Sequence, residues 1–156
     1  MSAGAGILVQ LSDLHLREGD GGPARRLEHA VSRVAALEPS PDAVLLSGDL
    51  ADVPSTAAYE QAHELLSPLG VPVYAIPGNH DDRYMLRARF SPGAGYPGEP
   101  VCFAADCGTL RLVGVDSTVP GREGGGSAPS GSTGSSRRSP SSPRRRRCWR
   151  FTIRRC

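Results

Sequence analysis

The sequence predicts an α/β fold, and three observations carry that reading. Three short apolar runs, Ile7 to Leu11, Ala43 to Leu46 and Val71 to Ile76, have the length and composition of buried strands. Each run ends in a cluster of polar residues, and each is followed by a segment with helical character. Strands separated by helices in this way run parallel with their carboxyl ends on one side, which is where open α/β sheets bind ligands.

The first run ends in Ser12-Asp13-Leu14-His15. A polar, glycine-rich loop is expected over Arg17 to Pro23, then a helix over Ala24 to Leu37 with Leu27, Val31, Val34 and Leu37 on one face, stopped by Pro39-Ser40-Pro41. The second strand, Ala43 to Ser47, runs into Gly48-Asp49-Leu50-Ala51-Asp52. Ser55 has the chemistry of an N-cap for a helix over Thr56 to Leu69, whose stripe is Ala58, Ala62, Leu65, Leu66 and Leu69 and which Gly70 closes. The third strand stops at Pro77-Gly78 and delivers Asn79, His80 and Asp81 to the sheet edge. A short helix over Arg83 to Phe90 follows, then a Gly- and Pro-rich loop over Ser91 to Pro100. Val101 to Ala105 and Leu110 to Val115 read as an antiparallel hairpin joined through Asp106, Cys107 and Gly108.

Composition divides the chain in two. With 38% apolar and 22% charged residues, 156 residues make one ordinary domain. Residues 1–120 carry eight arginines against fifteen acidic residues, whereas residues 121–156 carry ten arginines against one glutamate. Every cation is arginine, which reflects a GC-rich gene rather than a function. Residues 121–156 hold six Gly, eight Ser and three Pro with almost no apolar periodicity, so a disordered tail is expected after a body over 1–120. The arginine run Arg144 to Arg147 has the composition of a non-specific contact to nucleic acid or an acidic membrane surface, but is read as unselected. The amino terminus has no basic leader and no run long enough to span a membrane, so a cytoplasmic location is expected. Cys102, Cys107, Cys148 and Cys156 lack metal-site spacing and are read as free thiols; His29 and His63 fall on polar helix positions and are read as solvated.

The three polar clusters carry chemistry together that none carries alone. Asp13 and His15 stand two apart on an extended chain and so present a carboxylate and an imidazole to one side. Asp49 adds a second carboxylate with lone pairs enough for two cations, and Asn79 adds a neutral oxygen. Mixed oxygen and nitrogen donors suit Mn, Fe or Zn. Two such ions provide hydroxide at neutral pH and clamp a phosphoryl group. His80 is placed to stabilise phosphate charge or protonate a leaving alkoxide. Asp52 and Asp81 are read as carboxylates that orient the imidazoles.

Ser12-Asp13-Leu14-His15, Gly48-Asp49-Leu50-Ala51-Asp52 and Gly78-Asn79-His80-Asp81 resemble the first three signature blocks of the calcineurin-like metallophosphoesterases. The surrounding phrases QLSDLHL, PDAVLLSGDLAD, PVYAIPGNHDDR and LVGVDSTVPG are most similar to the bacterial class III cyclic nucleotide phosphodiesterases. The resemblance covers residues 7 to about 121. It implies the first half of an αββα sandwich and dinuclear, metal-dependent hydrolysis of a 3',5'-cyclic nucleotide such as cAMP, or of a similar small diester. Asp13 and His15 would hold one ion, Asp49 would bridge both, Asn79 would hold the second and His80 would meet the phosphate.

The family's later histidine blocks have no counterpart, since this chain has no histidine after His80. Partial metal occupancy and impaired activity are therefore expected, with an inactive relic or a basic-tailed nucleic-acid module as the competing readings. One face of the first sheet is expected to lie uncovered, leaving a marginal body. Read one frame over, codons for Cys148 to Arg155 permit Leu-Ala-Leu-His-His-Pro-Pro, which resembles a missing histidine block. An out-of-frame origin for the tail is expected on that ground.

Overall fold

The computed structural model describes residues 6–90, 98–119 and 151–155. Most of the loop expected over Ser91 to Pro100 lies outside them, as do Arg144 to Arg147, Cys148 and Cys156. The elements run β1 (Leu8–Leu11), α1 (Gly21–Ala35), β2 (Ala43–Ser47), α2 (Thr56–Leu66), a 3-10 turn (Ser67–Leu69), β3 (Val73–Ile76), α3 (Arg83–Phe90), β4 (Phe103–Cys107), β5 (Leu110–Gly114) and β6 (Phe151–Arg155). Strands β1, β2 and β3 form a parallel sheet in that order, and β4, β5 and β6 form an antiparallel one. The fold is α/β, as the sequence predicts.

Strand β2 shows how the layers are joined. All five of its residues are buried, and they alternate. Val44 and Leu46 belong to the core between sheet and helices, with Leu27, Val31 and Val34 of α1, Tyr59, Ala62 and Leu66 of α2, and Leu86 and Phe90 of α3. Ala43 and Leu45 point the other way, into a second core with Ile76, Phe103, Cys107 and Leu112. Each buried Val, Leu, Ile or Phe side chain contributes roughly 1.5–3 kcal/mol, so β2, with Val44 and Leu46 on one face and Leu45 on the other, anchors both layers. Tyr74 stacks on Phe103 across the second core, with ring centroids 5.4 Å apart.

That second core corrects one expectation. The face of the first sheet expected to be bare is packed against the hairpin, because Phe103, Cys107 and Leu112 alternate inward along β4 and β5. Ala104, Asp106 and Arg111 face outward and are exposed.

Several boundaries move for local reasons. Helix α1 begins at Gly21 rather than Ala24, because Asp20 accepts the Gly22 N–H at 2.9 Å. Pro23 is tolerated in a first turn, whose N–H groups have no partner within the helix. Ser55 caps α2 as expected, accepting from Ala58 N at 3.2 Å. Pro68 tightens the end of that helix into a 3-10 turn, which Gly70 closes at φ 65°. Strand β3 begins after Pro72, which has no N–H for the ladder, although its carbonyl accepts from Val44 N at 2.9 Å. The hairpin turn is Gly108-Thr109, so β4 and β5 pair Phe103 with Gly114 and Cys107 with Leu110. Among the described residues Cys102 and Cys107 are free thiols.

Within the tail expected over residues 121–156, Phe151–Arg155 is described and pairs antiparallel with β5. Phe, Thr and Ile in that segment are strand-favouring residues. Among the described residues, no helix is long and apolar enough to cross a membrane.

Candidate metal centre at the sheet edge

Parallel order puts the carboxyl ends of β1, β2 and β3 side by side, and the backbone then stitches the first two loops together. Asp13 N donates to Gly48 O at 3.1 Å, His15 N to Asp49 O at 3.0 Å, Leu16 N to Leu50 O at 2.8 Å and Asp52 N to Leu16 O at 3.0 Å. This pairing needs left-handed backbone at three residues that are not glycine: Asp13 (φ 57°), His15 (φ 46°) and Asp49 (φ 53°). Conformations of that kind cost about 1–3 kcal/mol each and concentrate at functional sites.

These kinks gather the donors. Single ligand atoms of Asp13, His15 and Asp49 lie within 4.8 Å of one another, and a second set within the same limit combines His15, Asp52 and His80. Asp49 is only 1% exposed, whereas Asp13 is open to solvent. Asp49 Oδ1 accepts from the backbone N–H of His80 at 3.2 Å, which ties the third loop to the second. The His15 and His80 rings meet edge to face at 5.2 Å. Gly78 makes the approach possible: a Cβ there would lie 1.9 Å from Asp49 Oδ1 and 2.3 Å from Asp49 N.

Asp52 sits between the imidazoles. Its Oδ1 is 3.2 Å from His15 Nδ1, its Oδ2 is 2.8 Å from Arg17 Nη2, and its carbonyl is 3.0 Å from His80 Nδ1. His15 Nδ1 is off the line a hydrogen bond to Asp52 requires. With Asn79 Oδ1 it is one of two buried side-chain atoms without a hydrogen-bond partner among the described residues. Buried polar atoms are nearly always partnered. An unpartnered amide oxygen on Asn79 and the imidazole and carboxylate atoms of His15, Asp13 and Asp49 are the donor types a Mn, Fe or Zn ion takes, so the residues present fit a divalent cation.

Asp81 does something other than orient an imidazole. Its carboxylate accepts from Leu50 N (3.0 Å), Ala51 N (3.2 Å), Gly78 N (2.7 Å) and the Tyr59 hydroxyl (3.1 Å), clamping the second and third loops together. Burial pushes its pKa up and the Asp49 charge adds to that, against the pull of the Gly78 and Ala51 N–H groups and the Tyr59 hydroxyl. Burial, with the Asp81 charge next in importance, drives the Tyr59 pKa far above the ordinary phenol range, so it stays a neutral donor. Its oxygen also accepts from Asp82 N at 2.8 Å. The sequence reading missed Tyr59; its signal is a lone hydroxylated residue on the buried stripe of α2.

Arg83 and Asp116 were missed too. Arg83 donates through Nε to Asp116 Oδ2 (2.7 Å) and through Nη2 to the carbonyl and hydroxyl oxygens of Thr118 (2.8 and 3.0 Å). The Asp116 side chain is fully buried and also accepts from Val101 N at 2.9 Å and Thr118 N at 2.8 Å. Burial alone would raise the Asp116 pKa, but Arg83, Thr118 and Val101 outweigh it and hold the carboxyl below the usual range. A carboxyl more acidic in the folded than the unfolded chain adds stability at pH values above its unfolded pKa, and that stability is lost as pH falls through the folded value. Unfolding free energy should therefore drop below about pH 4, with a shallower slope in Asp116→Asn. An equally steep slope in the variant, followed by urea titrations between about pH 2 and 5, would show that Asp116 is not responsible.

His29 and His63 are exposed, as expected for solvated positions. His63 packs its ring against Phe90 with centroids 5.9 Å apart.

Comparison with known proteins matches residues 8–146 to the family model described as calcineurin-like phosphoesterase, beyond residue 121 where the motif resemblance stops. A 3',5'-cyclic adenosine monophosphate phosphodiesterase of Pseudomonas aeruginosa is 36% identical over 121 residues, covering 74% of this chain and 43% of that protein. A cAMP/cGMP dual specificity phosphodiesterase of Mycobacterium tuberculosis is 36% identical over 135 residues (76% and 40%). A probable glycerophosphodiester phosphodiesterase of Arcobacter nitrofigilis is 30% identical over 128 residues (77% and 46%). The chain thus spans less than half the length of these relatives.

Proposed function

Because the chain belongs to the calcineurin-like phosphoesterase family, we propose that its sheet edge is a phosphodiesterase site for 3',5'-cyclic nucleotides such as cAMP, or for similarly small diesters. Asp13, His15 and Asp49 would hold one divalent ion, Asp49 and Asn79 would contribute to a second, and His80 would act on the phosphoryl group. The observation that carries this reading is the convergence of single ligand atoms of Asp13, His15 and Asp49 within 4.8 Å of one another. When bound, such ions supply Lewis acidity and neutralise phosphoryl charge.

The chain's own residues do the rest. A carbonyl oxygen only accepts, so the 3.0 Å contact with Asp52 O requires a proton on His80 Nδ1. That leaves Nε2 to carry the exchangeable proton toward a phosphoryl or leaving-group oxygen. The backbone bond from His80 N to Asp49 fixes the ring's origin, and the Asp52 carboxylate beside His15 favours a fixed orientation of that imidazole.

The second ion would have two of these ligands only, so its binding should be weak. Losing even an outlying partner of a metal site costs ~10- to 100-fold in affinity or activity. Titration with Mn²⁺, together with Mn²⁺-dependent hydrolysis of bis(p-nitrophenyl) phosphate, should show one tighter and one weaker site and turnover well below that of the Pseudomonas relative. Turnover matching that relative would contradict the weak second site, and Mn²⁺ binding undisturbed by Asp49→Asn would contradict the placement of the centre.

We also propose that residues 1–120 form a partial domain of this family and that residues 121–156 arise from a shifted reading frame. The Ser, Gly, Pro and Arg content supports this, together with the histidine block that the shifted codons permit. The nucleotide sequence tests it: a stop codon in the shifted frame before a Gly-His-x-His block, or no His-His-Pro-Pro, would dispose of the idea.

A further inference from the structure

Ser12 opens the first polar cluster, yet the roles of Asp13 and His15 leave it without one of its own. Its hydroxyl stands over the seam between β1 and β2, where Oγ is 3.2 Å from the carbonyl oxygen of Ser47 and hydrogen-bonds to Asp13 Oδ2. The seam itself is fixed. Leu11 pairs with Leu46 in the parallel register, and Asp13 N donates to Gly48 O at 3.1 Å. Ser47 is fully buried, and its own hydroxyl accepts from Gln10 Nε2 at 2.7 Å. The place of the Ser12 hydroxyl is therefore set by the pairing of two strands, independently of the Asp13 side chain that it meets.

Asp13 is the proposed ligand that most needs a partner. Its side chain is 61% exposed, whereas Asp49 is buried and tied to His80 N. The hydrogen bond that the Asp13 carboxylate receives among the described residues comes from Ser12. A hydroxyl has one proton to give, and of its two neighbours here the charged carboxylate is the stronger acceptor. With Oδ2 engaged in this way, Oδ1 is left on the side of His15, whose Nε2 is 4.0 Å away.

On the phosphodiesterase reading, we propose that Ser12 is a positioning residue of the metal centre: its hydroxyl holds one oxygen of Asp13 so that the other is presented to the ion shared with His15 and Asp49. An exposed carboxylate gives up rotamer freedom when it ligates an ion, and a hydrogen bond already in place removes part of that cost. Ser12 is itself exposed, and surface substitutions of that kind leave folding stability nearly unchanged. Its effect should thus fall on the ion and not on the fold.

Mn²⁺ titrations followed by the electron paramagnetic resonance of free Mn²⁺, with urea midpoints taken in the absence of metal, test this on the wild type, Ser12→Ala and Ser12→Thr. Ser12→Ala should bind Mn²⁺ about tenfold more weakly, the lower end of what an outlying partner of a ligand contributes, with its urea midpoint unchanged. Ser12→Thr keeps the hydroxyl and should bind as the wild type does. Wild-type affinity in Ser12→Ala, or a Ser12→Thr as weak as Ser12→Ala, would overturn the proposal. So would a loss of affinity matched by a loss of stability, which would make Ser12 a structural residue. In those three cases Asp49→Asn would still weaken binding; Mn²⁺ binding that ignores Asp49→Asn would refute the phosphodiesterase reading itself, and the role of Ser12 with it.

Discussion

Gly78→Ala is expected to remove most of the Mn²⁺ affinity of the chain, at least ~10- to 100-fold, while Gly21→Ala leaves it unchanged. The added methyl at 78 would sit 1.9 Å from Asp49 Oδ1 and 2.3 Å from Asp49 N, far inside any van der Waals contact. A flexible tip can yield; a backbone nitrogen cannot. The β2 loop would have to separate from the β3 loop, and with it the Asp49 carboxylate from His80 N and the Asp81 clamp from Leu50 and Ala51. Overpacking of this kind also costs ~1–3 kcal/mol of stability, so affinity is to be measured at a temperature where circular dichroism shows both variants folded. Wild-type affinity in a folded Gly78→Ala chain would mean that Asp49 is not where the ion binds.

The largest loss of stability is expected from Arg83→Met, about 3–5 kcal/mol. The Arg83 side chain is 13% exposed and the Asp116 side chain 0%, so the substitution leaves a buried carboxylate without its cation. A domain holds only ~5–15 kcal/mol in all, so this one change brings it near unfolding. Arg83→Met/Asp116→Leu should recover much of the loss, because removing both charges also removes the cost of burying them. Urea midpoints of the single and double variants decide the matter: a double variant as unstable as Arg83→Met would show that the loss comes from the contacts of Arg83 to Thr118, or from the Val101 and Thr118 N–H groups that a leucine leaves unpaired, and not from the ion pair.

What could be read from the chain, and what could not, divides along the range of the interactions. Strand ends, the Ser55 cap and the polar clusters at 13–15, 49–52 and 79–81 are local patterns, and parallel topology alone brings them to one edge. Asp81 could not be assigned in this way. Its neighbour His80 suggests an imidazole partner, yet its carboxylate turns to backbone N–H groups some thirty positions away. Tyr59 and the Arg83 and Asp116 pair were invisible for the same reason: a helix stripe does not say which of its members carries a buried hydroxyl bond, and nothing near Arg83 announces a partner at 116. The sheet face expected to be bare is covered because the inward alternation of Phe103, Cys107 and Leu112 makes the hairpin a wall of the second core, a long-range packing that the pattern of either strand does not specify.

The left-handed backbone at Asp13, His15 and Asp49 limits which sequences can occupy this edge. Outside glycine, such a conformation is entered most readily by Asn, Asp and His. Those are also residues that donate to divalent ions. Backbone tolerance and ligand chemistry therefore select the same short alphabet at these three positions. Alanine scanning there changes the fold of the loop together with its chemistry, whereas exchanging Asp for Asn changes the charge and leaves the chain path intact. Drift at these sites is confined to a few neighbouring codons, and a lineage that lost metal binding could keep the Asp-x-His spelling for conformational reasons alone.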